Sequence, residues 1–112
     1  MRVPVPKLKG IALDWAVAKC EAEAVGAALK LEAFLHHHEL ECMEFSTDWA
    51  QGGPIIEREK IAIMHHDGGL VSAIVFRKQV KSAQGESPLI AAMRCYVASK
   101  LGDEVDVPGE LI

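Results

Sequence analysis

KIAIMHHDGGLVSAIVFR, residues 60–77, is the stretch whose reading decides the fold. Ile61, Ile63 and His65 alternate with Ala62, Met64 and His66, the period of a strand with two different faces. Asp67-Gly68-Gly69 supplies residues that tolerate positive φ, a strong tight-turn signal. Leu70 to Arg77 is apolar on both faces, as a covered central strand is. The stretch therefore predicts an antiparallel hairpin, from which the neighbouring segments can be read outward.

Immediately upstream lies STDWAQGGPIIERE, residues 46–59. Ser46, Thr47 and Asp48 are all helix-capping residues. Gly52 and Gly53 are read as an interruption, with Pro54 at the first position of a short helical turn ending at Glu59. Between Val25 and Phe45 helix formers dominate, yet Leu29, Leu31, Ala33 and Leu35 alternate with polar residues. The period favours a strand over Leu29–Leu35, separated from the preceding element at Gly26. A helix is predicted over Gly10–Ala22, with Ile11, Trp15, Ala18 and Ala22 on one stripe and Leu13, Val17, Cys20 and Ala24 on another. A helix apolar on two sides is sandwiched or joins an oligomer; the simpler reading is a core helix on a sheet. Val3 to Pro6 should be extended.

Downstream, polar Gln79–Glu86 reads as a loop. Ser87, Pro88 and Gly102 bracket a helix over Pro88–Leu101. Its small-residue side, Ala91, Cys95, Ala98 and Ser99, is read as solvent-facing, the alternative being close approach by another element or a symmetry mate. Asp103–Ile112 would add an edge strand or a packed extension. The sum is a single domain over residues 1–112, of class α+β: a small, mostly antiparallel sheet covered by helices, a compact α/β sandwich.

Composition narrows the function. The chain has 112 residues, half of them hydrophobic, which suits one soluble domain. Twelve Lys plus Arg against sixteen Asp plus Glu leave a net charge of −4, so the basic surplus of a nonspecific nucleic-acid binder is missing. No apolar run reaches membrane-spanning length and the N-terminal residues lack a signal-peptide core, so a cytoplasmic location and no membrane partner are expected. Cys20, Cys42 and Cys95 form no Cys-x-x-Cys pair, which suits free, buried thiols.

Candidate chemistry is sparse. His36, His37, His38, His65 and His66 lack a ligand spacing, so no metal is expected and a packed or solvated role is preferred. Asp48, Glu57 and Glu59 could be read as acid and base, but Arg58 and Lys60 interleave with them as on a solvated surface. The better ligand site is Thr47, Asp48 and Trp49 with Gly52, Gly53 and Arg58. The glycines would let a ligand approach the backbone, Trp49 would stack, and Arg58 would hold an anion. The competing reading makes Thr47 or Asp48 a cap, Trp49 a core residue and the glycines a chain reversal.

Three stretches, in order, carry a family resemblance: ALDWAVAK at 12–19, STDWAQGGPIIERE at 46–59 and PLIAAMRCYVASKLGDEVDVP at 88–108. Together they resemble the NinX-type family of small phage and prophage proteins of uncharacterised function. The histidine-bearing segments match nothing in that pattern. The resemblance implies a helix-sheet-helix sandwich and an accessory phage product acting in the host cytoplasm; it supplies no catalytic residues.

The function expected first is non-catalytic binding of a small anionic or nucleotide-like molecule, directed against host defence signalling, by a homo-oligomer without cofactor. The second is a protein-interaction module that blocks a host factor. A small hydrolase using Asp48, Glu57 or a histidine comes third.

Overall fold

Ser87 accepts a hydrogen bond from the Ile90 amide and Pro88 takes the first helical position, so α3 (Pro88–Leu101) starts where its sequence says it should. It stops at Gly102, whose φ of 91° suits a residue without Cβ. The computed structural model describes residues 1–24, 43–76 and 80–112. The strand predicted at Leu29–Leu35, Gly26, His36 to His38 and Cys42 lie outside the described residues.

Around α3 stand β1 (Arg2–Pro4), α1 (Gly10–Ala24), α2 (Trp49–Glu59), β2 (Ala62–His65), β3 (Val71–Phe76), β4 (Val80–Gly85) and β5 (Glu104–Asp106). The predicted hairpin forms, with Ile63 opposite Ala73 and a turn in which Gly68 and Gly69 take positive φ. β3 is the central strand of β2-β3-β4, and all its pairings are antiparallel. A second ribbon pairs β1 with β5. This is the α+β architecture expected, with the antiparallel strands among the described residues divided between two small sheets.

Packing corrects three readings. First, α1 lies chiefly against α3 rather than on a sheet. One surface of α3 carries β2, β3 and β4, while α1 and α2 also pack on it. Secondly, the small side of α3 does not face solvent: Ala91, Cys95 and Ala98 are buried. A helix packed on several surfaces needs small side chains, and the close approach offered as the alternative is what occurs. Thirdly, the polar segment read as a loop is β4, an edge strand. Its alternating exposure reconciles polar composition with pairing, since Ser82 and Gln84 point outward.

The Gly-Gly-Pro interruption is also corrected: α2 runs unbroken through it. Asp48 is the N-cap, accepting from the Ala50 amide at 2.9 Å. A proline disfavours helix in the residue before it partly through that residue's Cβ, and Gly53 has none. Gly52 serves packing: a Cβ there would collide with the Phe45 carbonyl oxygen and stand 2.6 Å from Leu89 Cδ2. Gly85 plays the same part across the sheet–helix boundary, where a Cβ would stand 2.8 Å from the Ala91 amide nitrogen. The helix closes as Lys60 turns left-handed (φ 57°, ψ 48°), while Ile61 N–H donates to the Ile56 carbonyl and Lys60 N–H to that of Glu57.

Gly52→Ala and Gly85→Ala should each lower the unfolding free energy by about 1–3 kcal/mol through overpacking. Lys60→Gly should raise it by about 1 kcal/mol by relieving the left-handed cost. Urea denaturation followed by circular dichroism measures all three.

Candidate functional site

Cap, packing and ion pairing separate the six residues expected to form a ligand site. Thr47 is exposed in the turn before α2, its amide donating to the Glu44 carbonyl. Asp48 is the cap, and Trp49, 55% exposed, is the first helical residue. Gly53 lies beside the Trp49 ring, while Gly52 is closed off by Phe45 and Leu89. Arg58 is at the far end of α2, about 13 Å from Trp49 at roughly 1.5 Å per residue. The structure therefore gathers Thr47, Asp48, Trp49 and Gly53, and takes Gly52 and Arg58 elsewhere. Asp48 and Glu57 likewise stand at opposite ends of α2, so the suggested acid–base pair is not brought together.

Arg58 belongs to a polar clasp that the sequence reading missed. Its guanidinium makes two hydrogen bonds to Glu21 of α1, at 2.5 and 3.3 Å, and its Nε donates to Glu59 at 3.0 Å. Lys100 of α3 reaches Glu59 from the other side at 3.3 Å. The Tyr96 hydroxyl, on a wholly buried residue, donates to Glu21 at 2.8 Å and accepts from Arg58 at 3.1 Å. Glu59 is thus a buried, doubly paired carboxylate rather than part of a solvated surface. Burial alone would raise its pKa; the hydrogen bonds from Arg58 and Lys100 outweigh that and hold it below the ordinary value. Burial and the bond to Glu21 push the Tyr96 pKa up, keeping the phenol protonated. The signal available in the sequence was the lone tyrosine, which needs a hydroxyl partner once it is placed in a core.

A second buried carboxylate fastens the turn before α2. Asp14 of α1 accepts from the Ser46 amide at 2.9 Å. Burial raises its pKa, against the lowering effect of the Ser46 bonds.

A concavity lies away from both. A cleft of about 500 Å³ opens along the outer edge of β4, lined by Pro6, Leu70, Ser72, Ser82, Ala83, Gln84, Gly85, Glu86 and Arg94. Arg94 is fixed there by two backbone carbonyls, through Nε to Leu8 at 2.9 Å and Nη1 to Gln84 at 2.8 Å. Among the described residues no carboxylate comes within ion-pair distance of it. Burial lowers its pKa and the charge of Glu86 opposes that shift. The Ser72 hydroxyl is 2.8 Å from His66 Nε2, so one of the five histidines reaches the cleft wall through a serine. Among the described residues no three His, Cys, Asp or Glu side chains gather around a common metal position.

The family model described as bacteriophage P22 NinX matches residues 4–100. The chain belongs to the NinX family. The match takes in every residue of the clasp and of the cleft wall in this NinX chain, and the resemblance carried by the three sequence blocks is confirmed. No curated protein matches the chain. Among the described residues, no helix of this NinX-family chain is long and apolar enough to cross a membrane.

The two buried carboxylates make opposite pH predictions. Glu59, with a lowered folded pKa, stabilises the fold at neutral pH, and that contribution is lost as pH falls through its folded value. Asp14, with a raised pKa, stabilises when protonated and loses that contribution as pH rises through its folded value. Asp14→Asn keeps an acceptor for Ser46 without a charge to bury. It should exceed the parent in unfolding free energy at neutral pH, with the gain vanishing in acid, whereas Asp14→Ala should fall below the parent. Urea titrations across pH check both variants.

Proposed function

We propose that this NinX-family chain is a phage accessory protein that binds a small anionic, nucleotide-like molecule without transforming it, and that the binding site is the β4-edge cleft. One observation carries the reading: Arg94 lines a roomy cleft with its guanidinium already positioned by Leu8 and Gln84 and with no carboxylate ion-paired to it among the described residues. A guanidinium has five N–H donors, and the two carbonyls engage two of them. A preorganised cation with donors to spare suits a phosphate or carboxylate. Arg58, the anion-binding arginine suggested by the sequence, is instead committed to Glu21 and Glu59. Capture of a nucleotide signal used in host defence is the biological role this reading supports, by analogy with other small phage products.

A second reading, docking onto a host protein, is favoured by the apolar part of the sheet face that also carries Ser72, Ser82 and Gln84 of the cleft wall. Phase along the strands puts Met64, Ile74, Phe76 and Val80 on the sheet face turned away from α3, with Phe76 opposite Val80. Met64, Phe76 and Val80 are exposed, Phe76 by 68%. Exposed Trp49 adds an aromatic anchor elsewhere on the surface. Homo-oligomer formation, expected from the sequence, would engage the same kind of surface.

Inorganic phosphate titrated into labelled protein should shift the Arg94 side-chain resonances saturably. Arg94→Gln should weaken that binding by about tenfold or more, the size of one lost charge-assisted contact. Saturable binding unchanged in Arg94→Gln would count against the cleft. Native mass spectrometry of protein from infected cells separates a retained small molecule from a complex with a host protein.

A further inference from the structure

The walls of the cleft carry more information than one cation. Glu86 and Arg94 line it with opposite charges but do not form an ion pair. Glu86 is exposed and lies just past the end of β4, while Arg94 reaches the β4 edge from α3. The strand register sets Ser72 opposite Gln84, with Ser82 on the same sheet face, so hydroxyl and amide groups share this wall. Leu70 and Pro6 supply apolar surface. A bare anion would satisfy Arg94 but meet repulsion from Glu86 and leave the apolar wall uncovered. A molecule suited to all of these groups carries an anion, a hydroxylated middle and an apolar ring with N–H donors. A volume of about 500 Å³ falls within the roughly 300–1,000 Å³ usual for small-molecule sites.

Building on the reading of this cleft as an anion site, we propose that it selects a nucleoside monophosphate whose base bears an exocyclic amine. The phosphate sits on Arg94, the sugar against Ser82 and Gln84, and the base against Leu70 and Pro6 with its amine donating to Glu86. Glu86 is then the specificity-determining residue, because an amine hydrogen bond to a carboxylate is lost entirely in a base that lacks the amine.

The test compares adenosine monophosphate with purine riboside monophosphate, which lacks only the amine, and with inorganic phosphate. Affinities are read by calorimetry and by Arg94 side-chain shifts, on the parent and on Glu86→Ala. The expected result is an adenosine monophosphate affinity about tenfold or more above that of the purine riboside compound. Glu86→Ala should bring that ratio close to one while phosphate binds the variant at least as well as the parent. Equal affinities for the two nucleotides on the parent, or phosphate binding with neither nucleotide bound, would overturn the amine-bearing nucleotide and leave the anion site standing. Failure of all three ligands to perturb Arg94 would overturn both.

Discussion

A tyrosine hydroxyl at the centre of a protein must find a partner or cost the free energy of leaving water unpaired. Tyr96 meets that demand by donating to Glu21, and the rest of the packing is arranged around the result. Glu21 becomes a carboxylate that needs a cation, and Arg58 at the end of α2 provides it. Arg58 also reaches Glu59, which draws Lys100 from α3 itself. Three helices are thus tied at one polar junction with alternating signs, so each charge faces an opposite one. On the sheet side the close approach is steric, with Gly85 against the backbone of Ala91. One helix is held by charge on one flank and by the absence of side chains on another.

Local chemistry made much of this fold legible. Asp-Gly-Gly can hardly do other than turn, and alternating Ile61 to His66 before it and apolar Val71 to Val75 after it leave pairing as the natural outcome. Ser87-Pro88 and Gly102 likewise specify the two ends of α3 through the backbone. The misreadings arise where tertiary context overrides local preference. Gly52 and Gly53 read as breakers, yet the gain from seating α2 against Phe45 and Leu89 exceeds their modest helical cost. Ala91, Cys95 and Ala98 look indifferent to burial until a second layer closes over them. The 79–86 segment has no strand composition because one side of β4 faces solvent.

The candidate site was less legible for a reason of distance. Clasp and cleft both join residues far apart in the chain, Glu21 with Tyr96 and Pro6 with Arg94, and no spacing rule anticipates such meetings. Of the two arginines at issue, Arg58 sits in a conspicuous motif and Arg94 in the middle of an apolar helix. Sequence reasoning weighed the first because aromatic and glycine neighbours surround it. The structure gives the first a structural task and puts the second on the wall of a cleft, held by backbone carbonyls.

The contact between Glu21 and Tyr96 also sets a timetable for folding. α1 precedes the hairpin in the chain, but the apolar surface it packs on belongs to α3, which follows the hairpin. The β1–β5 ribbon spans still more, pairing Arg2 with Asp106. Among the described residues, the hairpin and β4 pair with neighbouring sequence. Until α3 is in place, α1 lacks the helix it packs on in the finished fold. Docking of α1 and β1 therefore closes the longest loops among the described residues, and that non-local step paces folding more than the hairpin does.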